Sequence, residues 1–486
     1  MGSDQTIHFY ISLFFLLYGG ALFVSYIFIG IFSSYELGFY AKRNKYFRFK
    51  TIEQYKLLPS ISIIAPSYNE EQSIIENIRS LLSLQYPKIE VIIVNDGSKD
   101  TTLEKVIAQY SLVKVDYAFE EKLQTAKVRG VYKSTNVAYS NLIFVDKENG
   151  GKADALNAGV NVSRSDLFLA IDVDCIIEHD AISRMVKPFL EEDQDKKVIA
   201  SGGVIRIAND CIIEDGRIVK VNYPKNIWAR FQVLEYFRAF TLGRMAWSKI
   251  NGLLIISGAF GLFDRKLVLA VGGYDRTTVG EDLELVVRMR KYMQNVERTP
   301  YKVAFIPDPL CWTEVPSSLK ILSRQRNRWT RGLIDTLVKH KDMFFNPRFG
   351  RIGMISYPYW VFFEWLAPIV EIAGITYFLV MLALGAINFD YFILFSIFVF
   401  SFSLLYSSFA VFYEKYIFGR YKGIQFISKI TLISIIEVIF YHPLNVYFSL
   451  WGNYDFFIKR NKKGWGNMTR TGFKSKPIKN EKKQKK

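Results

Sequence analysis

Cysteine and histidine are scarce in this chain: three Cys (Cys175, Cys211, Cys311) and four His (His8, His179, His340, His442) among 486 residues. The cysteines are odd in number and far apart, so they give no disulfide framework and no CxxC zinc knuckle, and the scattered histidines argue against a His/Cys metal site. Such cysteine usage fits a chain whose bulk sits in a reducing compartment. Acidic charge is also short, with 46 Asp and Glu against 63 Lys and Arg and a net charge of +17. Residues 457–486 hold twelve Lys or Arg against one Glu, so +11 lies in the last thirty positions and only +6 on the rest. A nearly neutral body with a cationic tail excludes a basic nucleic-acid-binding globule. The length allows two or three domains with full-sized cores, which excludes a mini-protein that needs staples.

Charge is missing altogether from residues 7–32, a run of 26 positions without Lys, Arg, Asp or Glu. About 20 apolar residues cross a bilayer core. The run therefore predicts a membrane span rather than a cleaved signal peptide, whose apolar region is about 7–15 residues long, preceded by positive charge and ended by small residues. Lys42, Arg43, Lys45, Arg48, Lys50 and Lys56 follow, and the positive-inside bias puts the next segment in the cytosol. Hydrophobicity returns after Arg351. Residues 361–387 and 391–412 read as a hairpin of two spans, and Lys415, Arg420, Lys422 and Lys429 mark the following loop as cytosolic. The last apolar run, 430–451, contains Glu437 and a His442-Pro443 break. A single crossing would send the cationic tail outside, so a kinked, re-entrant or interfacial segment is expected there. The organisation predicted is an N-terminal transmembrane helix (1–40), a basic juxtamembrane segment (41–56), a cytosolic catalytic domain (57–350), a C-terminal transmembrane region (351–456) and a basic tail (457–486) that anchors to anionic headgroups.

Within the body, short β-rich apolar runs at 61–65, 90–94, 141–145 and 167–171 alternate with helical patterns at 70–84, 101–110 and 152–160. Strand–helix alternation predicts a parallel, doubly wound sheet, in which ligands bind at the carboxyl ends of strands. The polar clusters fall at those ends: Ser67-Tyr68-Asn69-Glu70, Asn95-Asp96-Gly97-Ser98 and Asp172-Val173-Asp174. From 197 to 350 the pattern becomes mixed α+β. The stretch 228–250, with Arg230, Arg238, Arg244 and Lys249 between apolar positions, reads equally as a helix on a membrane surface or an ordinary core helix.

Asp172 and Asp174 end a buried strand with i, i+2 spacing, so they project to one side, and hard carboxylate oxygens suit Mg²⁺ or Mn²⁺ bridging a diphosphate. A second such pair, Asp193 and Asp195, sits in a polar stretch and reads as solvated surface. Gly150-Gly151-Lys152-Ala153-Asp154 opens a helix, where backbone can approach a phosphate beside the Lys152 charge. Asp96 is placed to bind a nucleobase or ribose, or to take part in a helix cap. In Gly280-Glu281-Asp282 the acids are either a general base for an acceptor hydroxyl or partners of the helix dipole. Gln325-Arg326-Asn327-Arg328-Trp329 favours the chemical reading: Arg to hold a leaving diphosphate, Trp as an apolar face for a sugar, Gln for hydroxyls.

The ordered set of Pro66-Ser67-Tyr68-Asn69-Glu70, Asp96-Gly97-Ser98, Gly150-Gly151-Lys152-Ala153-Asp154-Ala155-Leu156-Asn157, Asp172-x-Asp174, Glu281-Asp282 and Gln325-x-x-Arg328-Trp329 resembles the family 2 membrane glycosyltransferases. That group includes cellulose, chitin, hyaluronan and poly-N-acetylglucosamine synthases. The resemblance spans roughly residues 60–335. It implies an α/β GT-A domain, Rossmann-like in binding a nucleotide-sugar, inserted between transmembrane helices, with a UDP-sugar donor and transfer with inversion to a β-linkage. On this resemblance Tyr68, Glu70 and Asp96 hold the uridine, and Lys152, Asp154 and Asp172 the nucleotide-sugar. Asp174, with Asp172, holds the Mg²⁺ or Mn²⁺. Asp282 is the base beside Glu281; Gln325, Arg328 and Trp329 line the acceptor and diphosphate; Ser257 and Gly258 floor the acceptor site; and Cys311-Trp312-Thr313-Glu314 either shapes its path or is a packed strand end.

Three departures stand out. The base motif reads Val-Gly-Glu-Asp rather than the frequent Thr-Glu-Asp, with the Asp intact. No cytosolic domain resembling a cyclic-dinucleotide receptor follows the last span. One span before the catalytic domain points to a small partner subunit or a homo-oligomer for a complete channel. The expected activity is elongation of a β-linked polysaccharide from UDP-N-acetylglucosamine, with UDP-glucose next, in a plasma (bacterial inner) membrane, with a growing polysaccharide and the lipid bilayer as partners and no nucleic acid. A single-transfer enzyme making a glycolipid and a non-catalytic sugar-binding or export component are the rival readings.

Overall fold

The computed structural model describes residues 3–44, 58–191, 196–214, 216–387, 389–421 and 423–460. Most of the basic juxtamembrane segment, the Asp193/Asp195 pair and the tail beyond 460 lie outside the described residues.

The body is built on twelve strands: β1 (Ile61–Ser67), β2 (Ile89–Asp96), β3 (Leu112–Val115), β4 (Val128–Ser134), β5 (Leu142–Lys147), β6 (Leu167–Ile171), β7 (Ile176–Ile177), β8 (Lys197–Ile207), β9 (Ile212–Glu214), β10 (Arg217–Lys220), β11 (Phe260–Asp264) and β12 (Tyr301–Thr313). Ten of them form one sheet in the order β3-β4-β5-β2-β1-β6-β11-β8-β12-β7, and β9 and β10 make a separate hairpin. The four strands expected from sequence are the parallel centre, β5-β2-β1-β6, with Ile61 opposite both Ile89 and Leu167 and Val91 opposite Leu142. These strands are covered on both faces, which is why they read as continuous apolar runs rather than alternating ones. The helices Ile74–Leu82, Thr102–Tyr110 and Lys152–Val162 follow β1, β2 and β5.

The sheet is mixed rather than all parallel. β11 runs antiparallel to both β6 and β8, β8 and β12 pair in parallel, and β4 closes the other side antiparallel to β5. Because β11 and β4 run against their neighbours, the doubly wound rule holds only for the centre. The first helix also starts later than its apolar pattern. Glu70 is still in the turn, with Asn69 at φ 56°, fixed by hydrogen bonds from its own amide to Ser98 Oγ (2.9 Å) and from the Lys99 amide to its Oδ1 (2.8 Å).

On both sides of this body lie helices long and apolar enough to cross a membrane: Thr6–Arg43, Phe392–Phe418 and Gln425–Phe457, with a fourth candidate in the bent pair Ile352–Trp365 and Ala367–Ala383. The run through His442-Pro443 is one 33-residue helical run, so the expected break is absent there, and a 46° bend lies in the earlier pair instead. Proline inside a helix lacks an N–H and clashes with the carbonyl four residues back. Pro358, Pro368 and Pro443 each follow a π-helical stretch, Ile352–Ser356, Trp360–Trp365 and Glu437–Tyr441, whose extra residue widens the turn and relieves that clash.

The segment 227–249 combines both of its sequence readings. It runs as Ile227–Tyr236, a π-helical Phe237–Arg244 and Met245–Lys249, with one side on β8 and the other on the apolar helices. Arg238 donates to Ser407 Oγ at 3.1 Å and makes a two-pronged pair with Glu437 at 2.6 and 3.0 Å, tying this layer to the helices that follow.

Candidate active site

The helix Lys152–Val162 begins at Gly151, whose φ of 89° is disfavoured for side chains with a Cβ and lets the loop turn sharply after β5. Asp96, at the end of β2, holds that loop: Oδ1 accepts from the Gly150 amide (2.9 Å) and Oδ2 from the Gly151 amide (2.8 Å). A fully buried Lys147 Nζ lies 2.7 Å from Asp96 Oδ1 and 2.7 Å from Asp154 Oδ1, so two candidate nucleotide-binding carboxylates share one cation. Burial acts to raise the Asp154 carboxyl, but hydrogen bonds from Lys147, Arg276 and the Ala126 amide outweigh it and hold it below the usual carboxylate range. Tyr68 is half exposed after β1, and the Glu70 carboxylate accepts from Ser73 Oγ at 2.6 Å.

A second cluster forms around Lys152. Its ammonium pairs with Asp172, donates to the Gly258 carbonyl at 3.2 Å and lies 3.9 Å from Glu281. Burial opposes the lysine charge, yet Asp172, Glu281 and Asp282 outweigh it and raise the group. Glu281 is buried and pushed up by that burial. Asp282 Oδ2 accepts the Gly258 amide at 2.9 Å, and its Oδ1 accepts the amide of Leu283 at 2.9 Å. The Ser257-Gly258 turn is thus in direct contact with Asp282.

The helix Leu319–Lys339 carries Gln325, Arg328 and Trp329. The i, i+3, i+4 spacing of these residues puts them on one face. That face meets the helix Glu281–Tyr292 at two glycines: a Cβ on Gly280 would sit 2.8 Å from the Gly332 Cα, and one on Gly332 would sit 2.7 Å from the Gly280 Cα. This contact explains the Gly in Val-Gly-Glu-Asp, since a threonine there would collide with backbone. Arg326 stacks on Trp329 at 4.3 Å and pairs with Glu235 at 2.7 Å, and Tyr441 donates to the same Glu235 oxygen at 2.9 Å.

One cavity of about 2700 Å³ joins these groups. Lys152, Asp172, Ser257, Gly258, Glu281, Asp282, Gln325, Arg328 and Trp329 line it, and it continues past Tyr359 and Trp360 between the apolar helices, where Tyr26, Tyr406 and Tyr377 face it. Tyr68, Glu70, Asp96, Asp154 and Asp174 are not in that wall and gather at the carboxyl ends of β1, β2 and β6 and the helix that follows β5. Gln325 Oε1 and Trp360 Nε1 are buried in the cavity wall without a hydrogen-bond partner among the described residues. Sequence reasoning missed Lys147, Arg276 and Arg244. Lys147 had a signal, a charged residue closing an otherwise buried strand. Arg244 falls in the stretch that the sequence reads equally as a membrane-surface or a core helix.

Among the described residues no cluster of three or more His, Cys, Asp and Glu could hold a metal ion. The donor set at β6, two carboxylates and no imidazole or thiolate ligand, nonetheless fits Mg²⁺ or Mn²⁺, which bind through one or two carboxylates completed by substrate phosphates.

The site thus joins a sheet with a parallel centre, carboxylates at its strand ends and a cavity lined by an acid and a Gln-x-x-Arg-Trp helix. The chain belongs to glycosyltransferase-like family 2, whose profile matches residues 59–332. It is a GT-A glycosyltransferase. The poly-β-1,6-N-acetyl-D-glucosamine synthase of Staphylococcus epidermidis is 27% identical over 368 residues, covering 75% of this chain and 76% of the relative. The synthase of that name from Staphylococcus aureus strain COL is 28% identical over 329 residues, 68% of this chain and 65% of the relative. Among solved structures, the mannosyltransferase PcManGT of Pyrobaculum calidifontis in complex with GDP-Man and Mn²⁺ aligns with a TM-score of 0.49 at 18% identity, over 86% of this chain and 98% of that one.

Proposed function

We propose that this chain is a membrane-embedded synthase that elongates a β-linked N-acetylglucosamine polysaccharide from UDP-N-acetylglucosamine and passes the product into the space between its own apolar helices. The observation that carries the proposal is the single cavity running from Asp282 past Trp329 to Tyr26 and Tyr406. A glycan has a hydroxyl edge and apolar ring faces, and this wall offers aromatic rings together with buried polar atoms, Gln325 Oε1 and Trp360 Nε1, that await partners. The named activity of the two staphylococcal relatives supports the choice of sugar.

In this reading Tyr68, Glu70 and Asp96 bind the uridine, and Lys147 keeps Asp96 and Asp154 in place. Lys152 and Arg328 meet the diphosphate. Asp282, fixed by the Gly258 and Leu283 amides, takes the proton of the attacking hydroxyl while that oxygen approaches the anomeric carbon from the face opposite the leaving UDP. Asp174, with Asp172, would hold Mg²⁺ or Mn²⁺, which would supply neutralising charge at the diphosphate. Trp329 and Gln325 hold the acceptor sugar. The basic residues after the first helix orient the catalytic domain to the cytosol, and a partner subunit or a second copy completes the path.

The test is purified protein in nanodiscs with a panel of UDP-sugars and Mg²⁺ or Mn²⁺, reading UDP release and product size. High-mass polymer from UDP-N-acetylglucosamine, abolished by EDTA, is expected. A chloroform-soluble monoglycoside as the sole product overturns the proposal.

A further inference from the structure

Arg244 stands in the cavity wall and has no part in the mechanism above. It closes the π-helical stretch Phe237–Arg244, and π-helical turns recur at functional sites because the extra residue re-aims a side chain. Its guanidinium carbon lies over the Phe240 ring, 3.8 Å from the centre, a cation–π contact. Its Nη1 is buried without a hydrogen-bond partner among the described residues. Burial pushes the group down to about 10, with Asp282 acting in the opposite sense, so it remains a cation at neutral pH. A buried guanidinium held on an aromatic face, with a donor left unsatisfied in a cavity, is half of a binding site. Guanidinium carries five donors and no acceptor, so the missing half must present oxygen acceptors.

Position decides which ligand. The diphosphate end of the cavity already has Lys152 and Arg328. Arg244 stands where the Asp282 site meets the apolar helices: Asp282 acts on its charge, and one helical turn on, Trp247 packs against Tyr359 at 4.8 Å, where the cavity enters those helices. We propose that Arg244 is an acceptor-binding residue whose guanidinium donates hydrogen bonds to hydroxyl or carbonyl oxygens of the terminal sugar of the growing glycan and turns the attacking hydroxyl towards Asp282. Trp247 supplies apolar surface for the same sugar. The inference rests on the reading of the chain as a glycan synthase.

The experiment uses the full chain in nanodiscs with Mn²⁺, UDP-N-acetylglucosamine and a soluble β-1,6-linked N-acetylglucosamine oligosaccharide as acceptor. It compares the wild type with Arg244→Gln and Arg244→Lys. Loss of a hydrogen bond from a charged donor should raise the acceptor KM about ten- to a hundredfold in Arg244→Gln, less in Arg244→Lys, while the donor KM and the Kd for UDP stay unchanged. Unchanged UDP binding also shows that the variants fold. An unchanged acceptor KM in both variants, or a parallel loss of UDP affinity, overturns the assignment of Arg244 alone. Failure of the wild type to extend the oligosaccharide overturns the synthase reading and this inference with it.

Discussion

At the scale of single residues the site is a set of carboxylates, each given a different neighbour. Asp282 is held by two backbone amides, Asp172 by Lys152, and Asp96 with Asp154 by one buried lysine. Asp282→Asn should lower transfer about a hundred- to ten-thousandfold, the range of a lost general base, and leave UDP binding unchanged in a calorimetric titration. Lys147→Met leaves two buried carboxylates without their common cation. It should cost about 3–5 kcal/mol of stability and weaken UDP binding, as read by thermal unfolding and titration. Asp275 and Lys339 make a pH-sensitive clasp, 2.8 Å long, between the loop before Asp282 and the end of the Gln325 helix. Burial raises Asp275, but hydrogen bonds from Lys339 and Thr277 bring it down to about 2, while Lys339 is raised despite its own burial. A lowered acid stabilises the fold above its ordinary value, and that contribution is lost as pH falls through the folded value. A raised base stabilises below its ordinary value and loses that contribution as pH rises through its folded one. The difference in Tm between wild type and Asp275→Asn should therefore be constant near neutrality and shrink as pH falls from about 4 towards 2.

Between elements, the contact that positions the chemistry is Gly280 against Gly332. Gly332→Ala adds a methyl where 2.7 Å is available, forcing the base helix and the Gln325 helix apart. Overpacking of this kind costs about 1–3 kcal/mol, and we expect kcat to fall more than UDP affinity, a split that steady-state kinetics reads. This contact also shows what sequence could not reveal. The Val-Gly-Glu-Asp departure was visible as a departure, but its reason lies 52 positions away in another helix. The central strands were legible because burial on both faces leaves a bare apolar run. The antiparallel flanks β11 and β4 were not, since nothing in a strand's own residues states which way its neighbour runs. His442-Pro443 looked like a break for a sound local reason, and the π-turn before it is a property of backbone phase that residue types do not record. Lys147 and Arg244 were hidden because nothing in the local sequence shows which buried partners a charged side chain meets.

For the whole molecule, the catalytic layer and the apolar helices are joined by ion pairs. The partly exposed Arg238 pairs with the buried Glu437 at 2.6 Å, and Arg206 pairs with Glu414, where both side chains are nearly inaccessible to solvent. Glu414→Gln removes one charge from such a pair and should cost about 3–5 kcal/mol, lowering the Tm of the whole particle rather than that of one part. The joint lets one cavity pass from the acid to the space between the helices. The central claim is that this cavity holds the product. Electron cryomicroscopy of the protein in nanodiscs, stopped during turnover of UDP-N-acetylglucosamine, tests it directly. The account predicts sugar density beginning at Asp282 and Trp329 and continuing past Tyr359 to Tyr26 and Tyr406. An empty cavity beside released polymer, or an acyl chain in its place, would contradict it.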